Sequence, residues 1–113
     1  MLQFVYPPLR GNFVLLPIEN VRYGAGCVSA LATTLAAHGM QRALLITGNT
    51  LATKTPLVNS VKAAADGRIA AVFHETVQHV HRASVLRAAA AARDIGADGI
   101  VSFGGGTPND TAK

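Results

Sequence analysis

Gly99-Ile100-Val101-Ser102-Phe103-Gly104-Gly105-Gly106-Thr107-Pro108-Asn109-Asp110-Thr111-Ala112-Lys113 decides the fold. Its first five residues read as a short, fully buried strand, and that strand runs without a spacer into three glycines. The residues after the glycines are those of a helix start. Thr107 is placed as the N-cap and Pro108 at the first helical position, where a missing N–H costs little. Asp110 falls three residues after the cap, a capping-box variant with aspartate in place of glutamate. Helix N-termini present unpaired N–H groups and the positive end of a dipole, and glycine lets an anion approach the backbone. In open parallel sheets, ligands sit at the carboxyl ends of the strands. Gly104, Gly105, Gly106 and Thr107 are therefore a candidate phosphate cradle. Spacing alone gives equal weight to a tight, capped turn that binds nothing.

Working back from the glycines, a helix is expected from about Ala83 to Ile95, with Leu86, Ala89, Ala90 and Arg93 on one face and Gly96 as its stop. Ile69-Ala70-Ala71-Val72-Phe73 reads as a central strand. Leu57, Val58, Val61 and Ala65 mark one face of another helix, with Pro56 near its first turn. Arg42-Ala43-Leu44-Leu45-Ile46-Thr47 is apolar on both faces, as a buried parallel strand is, and it ends at Gly48. Val28, Leu31 and Leu35 recur at helical spacing after the turn Tyr23-Gly24-Ala25-Gly26, and His38-Gly39 closes that helix. Phe13-Val14-Leu15-Leu16, closed by Pro17, reads as a first strand. Strands alternating with helices imply βαβ units. The expected fold is α/β, a Rossmann-like parallel sheet with flanking helices, in one domain over residues 1–113.

Composition agrees and excludes several classes. Half of the 113 residues are hydrophobic and 14% are charged, which suits a packed domain and not a disordered chain. The net charge of +4 is spread along the sequence with no basic stripe, so nucleic acid is not an expected partner. No apolar run approaches the ~20 residues needed to cross a bilayer, and the N-terminus lacks the pattern of a signal peptide. Cys27 is the only cysteine, so no internal disulfide or CxxC site can form; a cytoplasmic location is expected. Cys27 itself is expected to be packed and inert, since no base stands beside it in the sequence.

Gly104-Gly105-Gly106-Thr107-Pro108-Asn109-Asp110-Thr111-Ala112-Lys113 resembles the GGGS-x-x-D-x-A-K signature of iron-containing alcohol dehydrogenases, with threonine in place of serine. Tyr23-Gly24-Ala25-Gly26 is similar to that family's F-G-x-G turn, and Ala97-Asp98-Gly99-Ile100-Val101 to its strand before the glycine loop. The resemblance spans roughly Phe13 to Lys113. It implies that Gly104, Gly105, Gly106 and Thr107 hold the diphosphate of NAD or NADP, with Asp110 and Lys113 near the nicotinamide and the substrate. It further implies a hydride-transferring alcohol dehydrogenase acting on a small alcohol, aldehyde or keto substrate, assembled as a homo-oligomer when intact. A divalent metal, iron by the resemblance, would be bound by a later helical domain. No catalytic residue and no metal ligand is assigned within residues 1–113.

Two departures matter. Many members of that family carry aspartate after the second strand, where it bonds the adenosine ribose. Here the loop is Thr47-Gly48-Asn49-Thr50-Leu51, and Gly48 stands in place of the acid. Glycine leaves room for a 2′-phosphate that an aspartate repels, so NADP is the expected cofactor, held by Gly48, Asn49 and Thr50 with Lys54 nearby. The segment Val72-Phe73-His74 through Gln78-His79-Val80 is similar to maleylacetate reductases, a metal-independent branch that commonly lacks an acid at the Asp110 position. That branch therefore stays open as an alternative. His79 and His81, on alternate positions of an expected strand, supply two ligands where a metal needs three or four.

The stretch after Thr107 is too short for a stable helix of its own, and the strand before it reads as needing cover. The sequence is thus expected to be a dinucleotide-binding region incomplete at its C-terminus, and inactive alone. Two further readings remain open: a non-catalytic phosphate- or nucleotide-binding module, and a polyol-phosphate enzyme of the superfamily that includes glycerol dehydrogenases and dehydroquinate synthases.

Overall fold

The computed structural model describes residues 11, 12, 14 and 17–113. The expected first strand at Phe13–Leu16 lies outside the described residues except for Val14, which is exposed and in no strand. The elements are a 3₁₀ turn (Cys27–Ala30), α1 (Leu31–Ala37), β1 (Ala43–Thr47), α2 (Asn49–Lys54), α3 (Leu57–Ala64), β2 (Ile69–Phe73), α4 (Arg82–Asp94), β3 (Gly99–Phe103) and α5 (Gly106–Ala112). The sheet has the order β2-β1-β3 and both pairings are parallel. Among the described residues, no helix is long and apolar enough to cross a membrane.

β1 is buried along its whole length, as its two-sided apolar sequence requires. Successive side chains of a strand point to opposite faces. Ala43 and Leu45 accordingly pack with Leu35, Val58, Val61 and Ala65 of the α1–α3 layer, and Leu44 and Ile46 pack with Phe73 and Ala88 on the α4 side. Between Ala43 and Leu44 the pairing with β2 skips Ala70. That skip moves Ile69 onto the α1–α3 face, while Ala71 and Phe73 face α4. A single strand thereby feeds both cores.

Several expectations change. β2 reads as central in the sequence, yet among the described residues it forms one edge of the sheet. β3, which reads as fully buried, is the other edge and alternates: Val101 and Phe103 join the α1–α3 core, whereas Ile100 is 46% exposed. Apolar content alone does not distinguish an edge strand from a central one. In α4 the inward stripe is the buried Ser84 and Ala88 with the half-buried Ala91 and Ala92, continued by Ile95 at the C-cap, not Leu86, Ala89, Ala90 and Arg93; Leu86 is 55% exposed. A run of alanines carries too little amphipathic contrast to show its face. Within α3, Val58 and Val61 are buried but Leu57 points outward, 46% exposed.

The segment expected as a loop after β1 is helix α2. Gly48 is extended as its N-cap, and Thr55 returns to extended geometry (φ −136, ψ 159). Thr55 precedes Pro56, and proline disfavours helical backbone in the residue before it, so α2 and α3 are separate. At the opposite end of the sheet, the Asp98 carboxylate accepts the backbone N–H groups of Gln41 (2.7 Å) and Arg42 (2.9 Å). The Arg42 Nε donates to the Ile95 carbonyl at 2.9 Å, tying the entrance of β1 to that of β3.

Candidate functional site

The carboxyl ends of β1 and β3 leave the sheet side by side, because Thr47 and Phe103 are register partners. Gly48 and Gly104 come directly after them. Thr47 is fully buried, and its hydroxyl donates to the Phe103 carbonyl at 2.8 Å. The Thr47 carbonyl in turn accepts the Thr76 hydroxyl at 3.1 Å. Two hydroxyls thus tie the end of β1 to the end of β3 and to the loop after β2.

The three glycines of the loop have different tasks. Gly104 sits at φ +132, and a Cβ there would lie 3.1 Å from Pro108 Cγ and 3.3 Å from Leu51 Cδ1. The turn and the approach of α2 to α5 both require glycine at that point. Around Gly105 and Gly106 a Cβ would meet nothing within 4 Å, and the same is true of Gly48. Open space at these Cβ positions, at the mouth of a parallel sheet where ligands of such sheets sit, leaves the backbone there open to approach.

Helix α5 begins two residues earlier than expected. Gly105 is its N-cap, no side chain bonds the cap, and Thr107 lies inside the first turn. The capping box between Thr107 and Asp110 is therefore absent. Proline is tolerated throughout a first turn, where N–H groups lack helical partners, so Pro108 does not fix the starting residue. Thr107 instead accepts the Thr111 hydroxyl on its carbonyl at 2.8 Å, and the Ser102 hydroxyl bonds Asn109 Oδ1. Asp110 Oδ1 is 3.4 Å from Lys113 Nζ, an exposed pair one turn apart on the helix surface.

Asn49 and Thr50 form the first turn of α2, beside Gly48. Asn49 Oδ1 lies 3.2 Å from His74 Nδ1. Lys54 is at the other end of that helix, its backbone about 9 Å from that of Gly48 along the axis at 1.5 Å per residue. His79 and His81 do not share the face of a strand. His79 (φ +66) and Val80 (φ +47) are both left-handed, which ends any extended geometry between them. His81 is the N-cap residue of α4, where its carbonyl takes the Ser84 hydroxyl at 2.9 Å. His79 lines a concavity of about 470 Å³ with Gln78, Gly106, Thr107 and Asp110. Cys27, expected to be packed, is exposed, because the 3₁₀ turn that carries it buries no residue.

Sequence reasoning passes over Thr47, His74 and Thr76 as site residues. The signal available is position: each lies at or just beyond the carboxyl end of a strand. Among the described residues, no group of three or more His, Cys, Asp or Glu side chains could hold a metal ion. The residues present therefore do not fit a metal site, and no chemistry through a metal is derived for them.

Residues 19–113 match the model of the family described as iron-containing alcohol dehydrogenase. The chain belongs to that family. Relatives include maleylacetate reductase of Pseudomonas sp. (strain P51), 34% identical over 103 residues that cover 90% of this chain and 28% of that relative. 4-Hydroxybutyrate dehydrogenase of Cupriavidus necator is 33% identical over 96 residues, covering 85% of this chain and 25% of its own length. The chain thus spans about a quarter of the length of these curated relatives. Among solved structures, sulfoacetaldehyde reductase from Bifidobacterium kashiwanohense in complex with NAD+ superposes with a TM-score of 0.76 at 21% identity, over 80% of this chain and 24% of that one. The shared fold is the Rossmann-like α/β arrangement of this family, as its resemblance in sequence implied.

Proposed function

We propose that residues 1–113 are the cofactor-cradling region of a nicotinamide-dependent oxidoreductase whose intact form transfers a hydride between an alcohol or carbonyl carbon and the nicotinamide. The observation that carries this reading is the adjacency of Gly48 and Gly104 at the mouth of the sheet, with open space over Gly48, Gly105 and Gly106. Family membership favours the oxidoreductase over a non-catalytic phosphate-binding module. The backbone N–H groups of Gly104, Gly105, Gly106 and Thr107 receive the diphosphate. Gly48, Asn49 and Thr50 take the adenosine ribose, and Asp110 and Lys113 lie toward the nicotinamide end. Nicotinamide, when bound, supplies the hydride acceptor or donor. What these residues contribute is binding and orientation, fixing one face of the cofactor toward the substrate. The iron that the family's description names has no ligand set among the described residues, so its place is proposed to be in sequence other than this.

The cofactor is proposed to be NADP(H). Gly48 carries no carboxylate to repel a 2′-phosphate, and the space around its Cβ position is empty to 4 Å. Fluorescence titration of the protein with NADPH and with NADH tests both levels. Tighter binding of NADPH supports the reading in full, a strong preference for NADH removes the NADP assignment, and binding of neither removes the cofactor site.

A second reading concerns the substrate. Identity of 34% to a maleylacetate reductase favours an unsaturated keto-acid as the carbonyl partner over a simple aldehyde. Steady-state rates of the intact enzyme with maleylacetate and with short aldehydes separate the two.

A further inference from the structure

We propose that His74 recognises a phosphate on the 2′-position of the adenosine ribose, and that Asn49 holds it for that task. This rests on the NADP(H) reading above and names the residue that would decide it.

The strand order supplies the direction. Along β3-β1-β2 the carboxyl-end residues are Gly104–Thr107, then Gly48 and Asn49, then His74, the first residue beyond β2. A ligand with its diphosphate at the first group and its ribose at the second has the ribose substituents directed toward the third. Gly48 leaves that path open, since a Cβ there would touch nothing within 4 Å. An imidazole next to it can supply the positive charge that a phosphomonoester seeks.

The contact with Asn49 defines what the ring offers. An amide oxygen only accepts, so His74 Nδ1, 3.2 Å from Asn49 Oδ1, is the donor. Nε2 is then the nitrogen available to a ligand, and in the protonated ring it too is a donor. The bond to Asn49 also restricts the imidazole before any ligand arrives, which reduces the entropy lost on binding. Lys54 is a helix length away from Gly48, and the side chain next to His74 in sequence is the carboxylate of Glu75. His74 is a cation-forming group that is tied to this loop through Asn49.

The test is isothermal titration of the full protein with 2′,5′-ADP and with 5′-ADP, which differ only in the 2′-phosphate. A charge-assisted hydrogen bond at a partly exposed site gives an expected preference for 2′,5′-ADP of about tenfold. His74→Gln is expected to bring the ratio of the two affinities close to one, and His74→Lys, which restores a cation, to recover most of it. Rescue by lysine would not arise from a purely structural role. If His74→Gln binds 5′-ADP and still prefers 2′,5′-ADP as the parent does, His74 is not the recognition residue, although the NADP(H) reading stands. If the parent itself shows no preference, the NADP(H) reading fails and the role of His74 fails with it.

Discussion

Gly104→Ala and Gly105→Ala, made side by side, separate the structural use of the glycine loop from its proposed use as a cradle. At position 104 the backbone φ is +132, outside the range of L side chains, and the added methyl would sit 3.1 Å from Pro108 Cγ and 3.3 Å from Leu51 Cδ1. Strain of that kind costs about 1–3 kcal/mol. Position 105 has φ −83 and ψ −149, without the positive φ of Gly104, and its Cβ would meet no atom within 4 Å. Gly105→Ala should therefore change stability by no more than about 0.5 kcal/mol, as open surface substitutions do. The same methyl would occupy space assigned to the diphosphate and push it off backbone N–H donors. Losing one hydrogen bond to a charged group, about 1.5–3 kcal/mol, weakens NADPH binding about 10- to 100-fold. Urea denaturation monitored by circular dichroism reads the first quantity, and NADPH fluorescence titration reads the second. The reasoning fails if Gly105→Ala binds NADPH as tightly as the parent, because the open space over the loop would then hold no part of the cofactor.

The same geometry sets several other outcomes. Leu45→Ala removes a side chain with no solvent exposure from the central strand and should lower the unfolding free energy by about 3–5 kcal/mol, measured by denaturant titration. Thr47→Val keeps the shape but deletes the hydroxyl that donates to Phe103, leaving that carbonyl short of a partner. A loss of about 1–3 kcal/mol is expected, with Thr47→Ser recovering part of it. The Asp98 carboxyl is held below its usual value of 3.8, chiefly by the Gln41 N–H and next by that of Arg42. Its folded form therefore binds a proton less readily than its unfolded form. The resulting stabilisation is complete above the usual carboxylate range and is lost as pH falls through the depressed folded value. Denaturation midpoints between about pH 6 and pH 2 should fall less steeply in Asp98→Asn than in the parent.

Much of this was legible in the sequence because particular residues leave little choice. Ala43–Thr47 is apolar without alternation, which only a strand covered on both faces sustains, and it proved to be the buried centre. Gly39 and Gly96, both at positive φ, come after α1 and α4 where helix stops are expected. What remained hidden depended on tertiary neighbours. Whether β3 is a centre or an edge is decided by what lies beside Ile100, and no property of Ile100 itself carries that information. The alanines of α4 are nearly equivalent, so the side facing Leu44 and Ile46 is chosen by packing and by the Ser84 hydroxyl that bonds His81. The start of α5 escaped because Thr107-Pro108 satisfies the rules for a cap without serving as one. At the site, the glycine loop was visible as a run, whereas the pairing of Asn49 with His74 joins residues 25 apart in sequence and exists only once β2 has docked on β1.

The hydroxyl of Thr47 reaches a carbonyl 56 residues further along the chain. The proposed cradle cannot form by local folding, because its two walls become neighbours only when a loop of that length has closed. Closure of such long loops is slow relative to turn and helix formation. Assembly of the cradle is therefore inseparable from completion of the sheet, and any nucleotide that settles there draws the whole polypeptide toward its native state by mass action. For a newly made chain, a nucleotide bound as proposed would be a folding partner first.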